Sequence, residues 1–412
     1  MNYVIIGNSA AAIGCIEGIR SIDTEGNITV ISDEIHNTYS RPLISYLLYG
    51  KTDRNKMKYR NEEFYKKMRV TTIFGKRAVS IDPESKSVVL EDNLRIDYDK
   101  LLIATGSRPF VPPMNGLDSI KYHTFMSLDD AIGLESELGA DKKVLIVGAG
   151  LIGLKAAEGI LDKVESITVV DLADRVLPSI LDAQGSEIIK NSLEKKGVKF
   201  ILSDSVDEFT PGKAVLKSAK TVEFDVCIIA VGVRPNTELL KDAGGCVNRG
   251  ICTDEYQQTS IPSIYAAGDC TESYDICANE NRILALLPNA YMQGEVAGLN
   301  MAGKEKKYEY AIPMNAMGLF GLHMITAGSY DGESFIVENS EESYKRLVVA
   351  DGVLKGYIII GDIKRAGIYT ALIRDRVPLC EIDFDLIKEK PQLMAFSLTA
   401  RKEKLGNVKA AN

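Results

Sequence analysis

Two short runs of small residues, each set between an apolar strand and an amphipathic segment, restrict what this chain can become more than any other feature. The first is Gly7-x-Ser9-x-x-Ala12, entered from the β-branched run Tyr3 to Gly7 and continued by an amphipathic stretch ending near Ser21, with a second buried-strand run at Ile28 to Ile31. The second is Gly148-x-Gly150-x-x-Gly153, entered from a strand at Lys143 to Val147 and followed by a helix over Leu154 to Leu161 and a returning parallel strand at Ile167 to Val170. Strand, turn, helix and parallel strand within about thirty residues make a βαβ unit of dinucleotide-binding size. Two such units predict an α/β fold with two Rossmann-like dinucleotide-binding domains.

The spacing of the second run has a chemical reading. Gly148 permits the tight turn, Gly150 lets the backbone approach a pyrophosphate, and Gly153 lets helix and strand pack closely. The helix start offers N–H groups and a dipole to phosphate, and Leu151 and Ile152, within the glycine turn, are expected at the cofactor with the motif glycines. Asp171 follows at the end of the next strand, where a carboxylate accepts hydrogen bonds from the free ribose hydroxyls of NAD and repels the 2′-phosphate of NADP. NAD is therefore expected, with the nearby Arg175 keeping NADP open. A loop that is glycine-rich only for packing is the competing reading. The first run is degenerate, yet Ser9, Ala11 and Ala12 are small enough for the turn and for close helix packing. The acid expected after its second strand is Asp33 or Glu34, with Asp33 preferred.

Three further strands end in turns: Leu101 to Ala104 runs into Thr105-Gly106-Ser107, Ile264 to Ala267 into Gly268-Asp269, and Val226 to Ala230 into Val231-Gly232, the last closing the second unit. Beyond position 310 the pattern changes to alternating runs, Arg346 to Val349 and Leu354 to Ile360, then a helix near Ala366 to Arg374, which predicts a small α+β C-terminal domain. From Lys388 the chain has mixed helical character and a polar end that frays or docks on a partner.

Size and charge set the outer limits. A chain of 412 residues suggests two to four domains, and three are expected. A net charge of −8 argues against nucleic acid or anionic lipid as partners. No apolar run approaches the roughly 18 residues of a membrane span, and the start does not read as a signal peptide, so no membrane association and a cytoplasmic location are expected. The seven cysteines are scattered without a C-x-x-C, which signals neither a disulfide framework nor a metal site, and most are expected to be buried thiols. His36, His123 and His323 are isolated from one another and carry no assigned chemistry.

Taken together, Gly7 to Ala12, Leu102 to Pro109, Val147 to Gly153 with Asp171, Ala230 to Asn236 and Ile264 to Asp269 give a chain that resembles the FAD-dependent pyridine nucleotide-disulfide oxidoreductase superfamily. The resemblance implies a discontinuous FAD-binding domain over 1–112 and 240–310, an NAD-binding domain over 113–239, and an interface domain with a tail over 311–412. It implies that Asp269 binds the ribityl chain of FAD, that Thr105, Gly106 and Arg108 line the same cofactor, and that Val79 and Gly232 join the cofactor contacts. Asn289 and Ala290 are expected beside the isoalloxazine at a helix start. Tyr39 to Ser45 is similar to the R-P-x-x-S segment of rubredoxin reductases, oxygenase-type ferredoxin reductases and the flavoprotein part of assimilatory nitrite reductase, which places Arg41 on FAD phosphate or ribose.

Two departures qualify that likeness. The disulfide-reductase branches carry a redox-active cysteine around positions 40 to 45, and this chain has none there. Tyr46 stands where a lysine often follows the serine, and Lys155 where an acid often follows the last motif glycine. Electrons are therefore expected to leave the flavin without a thiol, from NADH through FAD to a one-electron carrier of the rubredoxin or ferredoxin type. Hydride transfer between cofactors needs positioning and no side-chain base, so no catalytic residue and no metal are assigned. Alternatives are an electron-transfer subunit of a larger complex, such as a 2-oxoacid oxidoreductase reducing NAD, docked through the end after Lys388 that includes 400–405, an end that otherwise reads as a solvated terminal helix; an NADH oxidase; and a non-catalytic NAD sensor. A monomer or homodimer is expected.

Overall fold

The structure is a computed structural model and describes residues 1–309 and 311–396. The chain divides into two compact units, one comprising Met1–Asp174, Gly197–Asp275 and Glu280–Ala311, the other Arg175–Lys196, Ile276–Asn279 and the chain from Ile312 onward.

The first unit opens with β1 (Asn2–Ile6), α1 (Ala10–Arg20) and β2 (Asn27–Ser32), followed later by β3 (Val70–Phe74) and β4 (Lys100–Ile103). A second series supplies β5 (Lys143–Val147), α2 (Leu151–Ile160), β6 (Ser166–Asp171), β7 (Val198–Leu202) and β8 (Val226–Ile229). The chain then returns with β9 (Ile264–Ala266) and α3 (Leu287–Met301). Two wholly parallel sheets result, in the orders β9-β4-β1-β2-β3 and β7-β6-β5-β8.

Alternation along β1 explains why it sits centrally. Tyr3 and Ile5 enter a core shared with α1 and α3, while Val4 and Ile6 enter another on the opposite face with Leu101, Ile103 and Ile264. A strand buried on both faces must be apolar at successive positions, and parallel pairing requires a crossover helix between partners.

The α2 helix begins at Leu151, three residues before the helix read from the sequence. Leu151 and Ile152 are only half-buried, so the apolar periodicity becomes visible at Leu154. Helices α1 and α3 touch backbone to backbone. A Cβ on Gly294 would lie 1.9 Å from the Ala11 carbonyl oxygen, one on Gly298 2.3 Å from that of Cys15, and one on Gly14 2.2 Å from that of Tyr291.

The second unit holds a five-stranded antiparallel sheet in the order Met314–Leu319, Leu322–Gly328, Val353–Ile360, Tyr344–Ala350, Glu333–Asn339, with the helix Ala366–Arg374 against it. Leu347, Leu354, Tyr357 and Ile359 from the sheet pack with Tyr369, Leu372 and Ile373. The helix Ala183–Glu194 belongs to this unit, and its N-cap carboxylate, Asp182, also accepts from the Tyr344 hydroxyl at 2.7 Å and pairs with Arg346 at 2.8 Å. The short helix Phe384–Glu389 follows. The segment 400–405, expected as a docking element, lies outside the described residues.

One expectation from composition fails. Only Cys15, Cys227 and Cys270 are buried, whereas Cys252 and Cys277 are partly accessible and Cys246 and Cys380 exposed. Cys252 ends a strand, Cys277 lies in a turn, Cys246 in a loop and Cys380 in a short 3-10 helix, where apolar flanking residues do not imply burial.

Candidate functional site

The two βαβ units repeat the same backbone device. Gly7 adopts φ +113° and Gly148 φ +118°, a region open to glycine and strained for side chains. The Gly7 N–H donates to Ile31 O at 2.8 Å, and the Gly148 N–H to Val170 O at the same distance. A Cβ would meet the Ala104 carbonyl oxygen at 2.0 Å in the first unit and that of Ala230 at 2.3 Å in the second. Each glycine therefore lets its turn close against the neighbouring strand end. Gly153 packs on this turn, its Cβ position 2.0 Å from Gly148 O.

Helix starts follow both turns, and both lack a protein acceptor from the cap side chain. Ser9 and Gly150 are the N-cap residues of α1 and α2, neither contributes a side-chain cap, and neither first turn holds an acid. The helix Leu128–Glu135 of the same unit shows the contrast, with a full capping box from Ser127 and Asp130. Uncapped N–H groups at the carboxyl edge of a parallel sheet are an anion site in waiting. Space is left in front of them, since nothing lies within 4 Å of a Cβ built on Gly150, Gly106 or Gly232.

Around the first helix start the sequence-distant segments converge. Gly268, at φ +87°, brings its Cβ position within 3.3 Å of the Ala11 Cβ and 3.6 Å of the Ala290 Cβ, so Ala11, Gly268 and Ala290 meet. Gln293, buried in α3, accepts from the Gly268 N–H at 2.6 Å and donates to Ser273 at 2.6 Å. Its importance was not legible in the sequence, because the bond joins positions 25 residues apart. Asn289 is buried in the first turn of the same helix, behind Pro288.

Charge is arranged on the same edge. Burial raises the Asp269 carboxyl above its ordinary range, against the opposing pull of the Arg41 guanidinium and the Ser107 hydroxyl. Arg41 pairs with Glu34, which also accepts from the Tyr39 hydroxyl at 2.7 Å. Asp33 is exposed and accepts from the Glu34 N–H at 3.0 Å. Of the two acids, Glu34 is thus the one tied to Arg41. In the second half, Asp171 accepts from the Ala149 N–H at 2.6 Å and the Ala173 N–H at 2.7 Å, which fixes its carboxylate beside the Gly148 turn.

Other expected residues lie differently. Thr105 and Asn236 clamp the loops after β4 and β8 through Thr105 Oγ1 to Asn236 O at 2.8 Å and Asn236 Nδ2 to Thr105 O at 2.9 Å. These loops continue into Ser107–Pro109 and Val233–Pro235, paired antiparallel. Arg108 is exposed and binds Asn236 Oδ1 and Glu238 Oε1, both at 2.7 Å. Val79 is exposed on a strand, Ala78–Asp82, of a separate three-stranded antiparallel sheet.

No thiol serves this edge as a nucleophile. Cys270 adjoins Asp269, but burial pushes its thiol up to about 11, and its Sγ lies 3.4 Å from Ala267 O. The positions that depart from the family pattern meet each other instead: Lys155 on α2 lies over the ring of Tyr46, on the helix Ile44–Leu48, and pairs with buried Glu158. Among the described residues no group of acids, histidines and cysteines is arranged to hold a metal, and no helix is long and apolar enough to cross a membrane.

Two parallel sheets, each presenting a glycine turn and a helix start without a side-chain cap, with a half-buried carboxyl and an arginine at one of them, fit two dinucleotides, the arrangement of a flavoprotein reductase with a nicotinamide partner. The chain belongs to the pyridine nucleotide-disulphide oxidoreductase family, whose model matches residues 1–294, and residues 313–377 match the rubredoxin NAD+ reductase C-terminal domain. It is an NAD(P)H-dependent FAD oxidoreductase.

Among relatives, it is 30% identical over 389 residues to the NADH-dependent phenylglyoxylate dehydrogenase subunit epsilon of Aromatoleum evansii, covering 92% of each chain. It is 28% identical over 341 residues to the NADH-rubredoxin oxidoreductase of Clostridium acetobutylicum, covering 82% of this chain and 85% of that one. The putidaredoxin reductase–putidaredoxin complex shares the fold, with a TM-score of 0.87 at 23% identity over 99% of both chains.

Proposed function

We propose that this protein takes electrons from NADH and delivers them through FAD to a small one-electron carrier protein of the rubredoxin or ferredoxin type, in the cytoplasm. The observation that carries the reading is the thiol-free Arg41 to Tyr46 segment, in which an arginine–glutamate pair and a tyrosine under Lys155 occupy the place of a reactive sulfur. Bound FAD supplies the exchange between two-electron and one-electron chemistry.

The chain's own residues bind and orient. The α1 start, with Gly7, Ser9, Ala11 and Ala12, receives the FAD pyrophosphate, Glu34 with Arg41 holds the adenosine side, and Asp269 takes the ribityl hydroxyls. Thr105, Gly106, Asn289 and Ala290 bound the ring, with Asn289 and Ala290 at the start of α3. The α2 start, from Gly148 to Gly153, receives the NADH pyrophosphate, with Asp171 on the ribose and Gly232 flanking it. Asp171 supports NADH over NADPH by its charge. In support, two relatives are named for NADH, one of them also for rubredoxin, and the C-terminal residues match the rubredoxin reductase model.

Stopped-flow mixing with NADH tests the first half: bleaching of the flavin absorbance is expected, and a flavin that stays oxidised overturns it. A linked assay across purified rubredoxins and ferredoxins tests the second half. A second reading has its own support, because the relative from Aromatoleum evansii is named as a subunit and is matched over nearly its whole length. On that reading the protein is the flavoprotein subunit of a larger redox complex, and purification from the native source would bring further chains with it in fixed ratio.

A further inference from the structure

A hairpin on the surface of the first unit places two cysteines opposite each other. Val247 pairs with Ile251 in an antiparallel bridge, the Asn248 N–H donates to Gly250 O at 2.9 Å, and the Cys252 N–H donates to Cys246 O at 3.1 Å. Cys246 and Cys252 are therefore the next facing pair of the ladder. Facing residues of an antiparallel ladder have Cα atoms roughly 4.5 to 5.5 Å apart and side chains on one face, within the span that a disulfide bridges.

The hairpin is also held from below. Glu272, buried, accepts from the Arg249 N–H at 2.9 Å and the Gly250 N–H at 3.0 Å, and Ser260 Oγ accepts from the Cys246 N–H at 2.8 Å. A tip fixed by three such bonds keeps both thiols on station, so little ordering remains to be done when they join.

We propose that Cys246 and Cys252 are a thiol–disulfide exchange site, oxidised reversibly to an intramolecular disulfide by a low-molecular-weight disulfide. The Cys246 thiolate attacks one sulfur of the oxidant, forming a mixed disulfide and releasing one thiol. Cys252 loses its proton and attacks the Cys246 sulfur, forming the internal bond and releasing the second thiol. One small disulfide is reduced to two thiols, and two protein thiols are oxidised to one disulfide.

The order of attack follows from exposure. Cys246 is open to solvent, while Cys252 is partly covered, and burial, the adjoining Cys246 thiol and Glu272 push its thiol up to about 11. The pair lies apart from hydride transfer, but the strand that carries Glu272 begins two residues after Asp269, and the Ile251 N–H donates to Cys270 O at 2.7 Å. The hairpin is thus joined by backbone hydrogen bonding to the segment that carries Asp269.

The experiment uses the full flavin-loaded chain, reduced, freed of reductant and treated with excess oxidised glutathione, then acid-quenched and alkylated. Arg249 separates the two cysteines, so trypsin leaves them on different peptides. Wild type is expected to yield those peptides joined by a reducible bond. Cys252→Ser is expected to accumulate glutathione on Cys246, and Cys246→Ser to leave Cys252 fully alkylated. Recovery of both wild-type cysteines as alkylated thiols, or of Cys246 only as a lasting glutathione adduct, overturns the proposal.

Discussion

The ammonium of Lys155 lies 4.2 Å from the centre of the Tyr46 ring, so two of the positions at which this chain departs from its family's pattern are in contact. The same ammonium pairs with Glu158, whose side chain is only 3% exposed. One substitution therefore accommodates the other: a lysine brought in on α2 finds an aromatic face on the helix Ile44–Leu48 and a carboxylate one turn along its own helix.

That arrangement sets a first expectation. Lys155→Met leaves the Glu158 carboxylate buried without this cation and should cost about 3 kcal/mol, the scale for breaking one side of a buried pair. Tyr46→Leu removes only the cation–π contact and should cost about 1 kcal/mol. Urea denaturation of the flavin-loaded protein measures both, and equal losses would show that the pair with Glu158 is not the dominant contact.

Gly150 offers a variant that separates folding from nucleotide binding. Its φ of −79° suits any residue and nothing lies within 4 Å of its Cβ position, so Gly150→Glu should fold and keep FAD. The new carboxylate would stand where the pyrophosphate approaches the helix start, and NADH affinity should fall about a hundredfold, a loss of some 3 kcal/mol. Calorimetric titration with NADH checks this, and unchanged affinity would move the nucleotide elsewhere. Gly148→Ala should behave differently, losing the fold, because its Cβ collides with Ala230 O at a φ of +118°.

The sequence made the strands and glycine turns legible because both are local: a β-branched run buried on two faces cannot avoid being apolar, and Gly7 and Gly148 are required by their own φ. Contacts between distant positions were not legible. Nothing in Gly14, Gly18, Gly294 or Gly298 announces that each meets the backbone of the opposite helix, since their meaning lies in a helix pair joined across most of the first unit. The pair of Arg41 with Glu34 is likewise invisible to counting from the strand end, because Arg41 arrives from another loop. The Cys246–Cys252 pairing was hidden likewise, because the cysteines were read for C-x-x-C spacing and the hairpin between them has no strong turn signature.

The α1–α3 contact yields a prediction about flavin retention. Gly294→Ala puts a methyl group 1.9 Å from the Ala11 carbonyl oxygen, and the helices must separate to admit it. Overpacking of this kind costs about 1 to 3 kcal/mol. Because α1 carries the turn at Gly7 and α3 carries Gln293, which holds Gly268, the displacement should also loosen FAD. Thermal release of flavin fluorescence should come at a lower temperature than in wild type, and an unshifted release would mean that the helix pair yields elsewhere.

Asp269 should trade stability for binding, in a direction that pH reveals. Burial raises its carboxyl above the ordinary 3.8 in the folded, flavin-free chain. Below that ordinary value both folded and unfolded states hold the proton, and the group contributes nothing to the difference. As pH rises past it, the unfolded state ionises first and binds fewer protons than the folded state, so stability falls until the folded-state value is passed and then stays at the lower level. Asp269→Asn, which cannot ionise, should therefore make the flavin-free protein more stable than wild type at neutral pH, with the gain vanishing near pH 3. The same change should weaken FAD by about tenfold, because an ionised acceptor for the ribityl hydroxyls is lost. Denaturation of the flavin-free proteins across pH, paired with FAD titration, measures the two effects together. A variant that loses both stability and FAD would assign Asp269 to holding the loop, and one that gains stability while losing FAD would assign it to the cofactor.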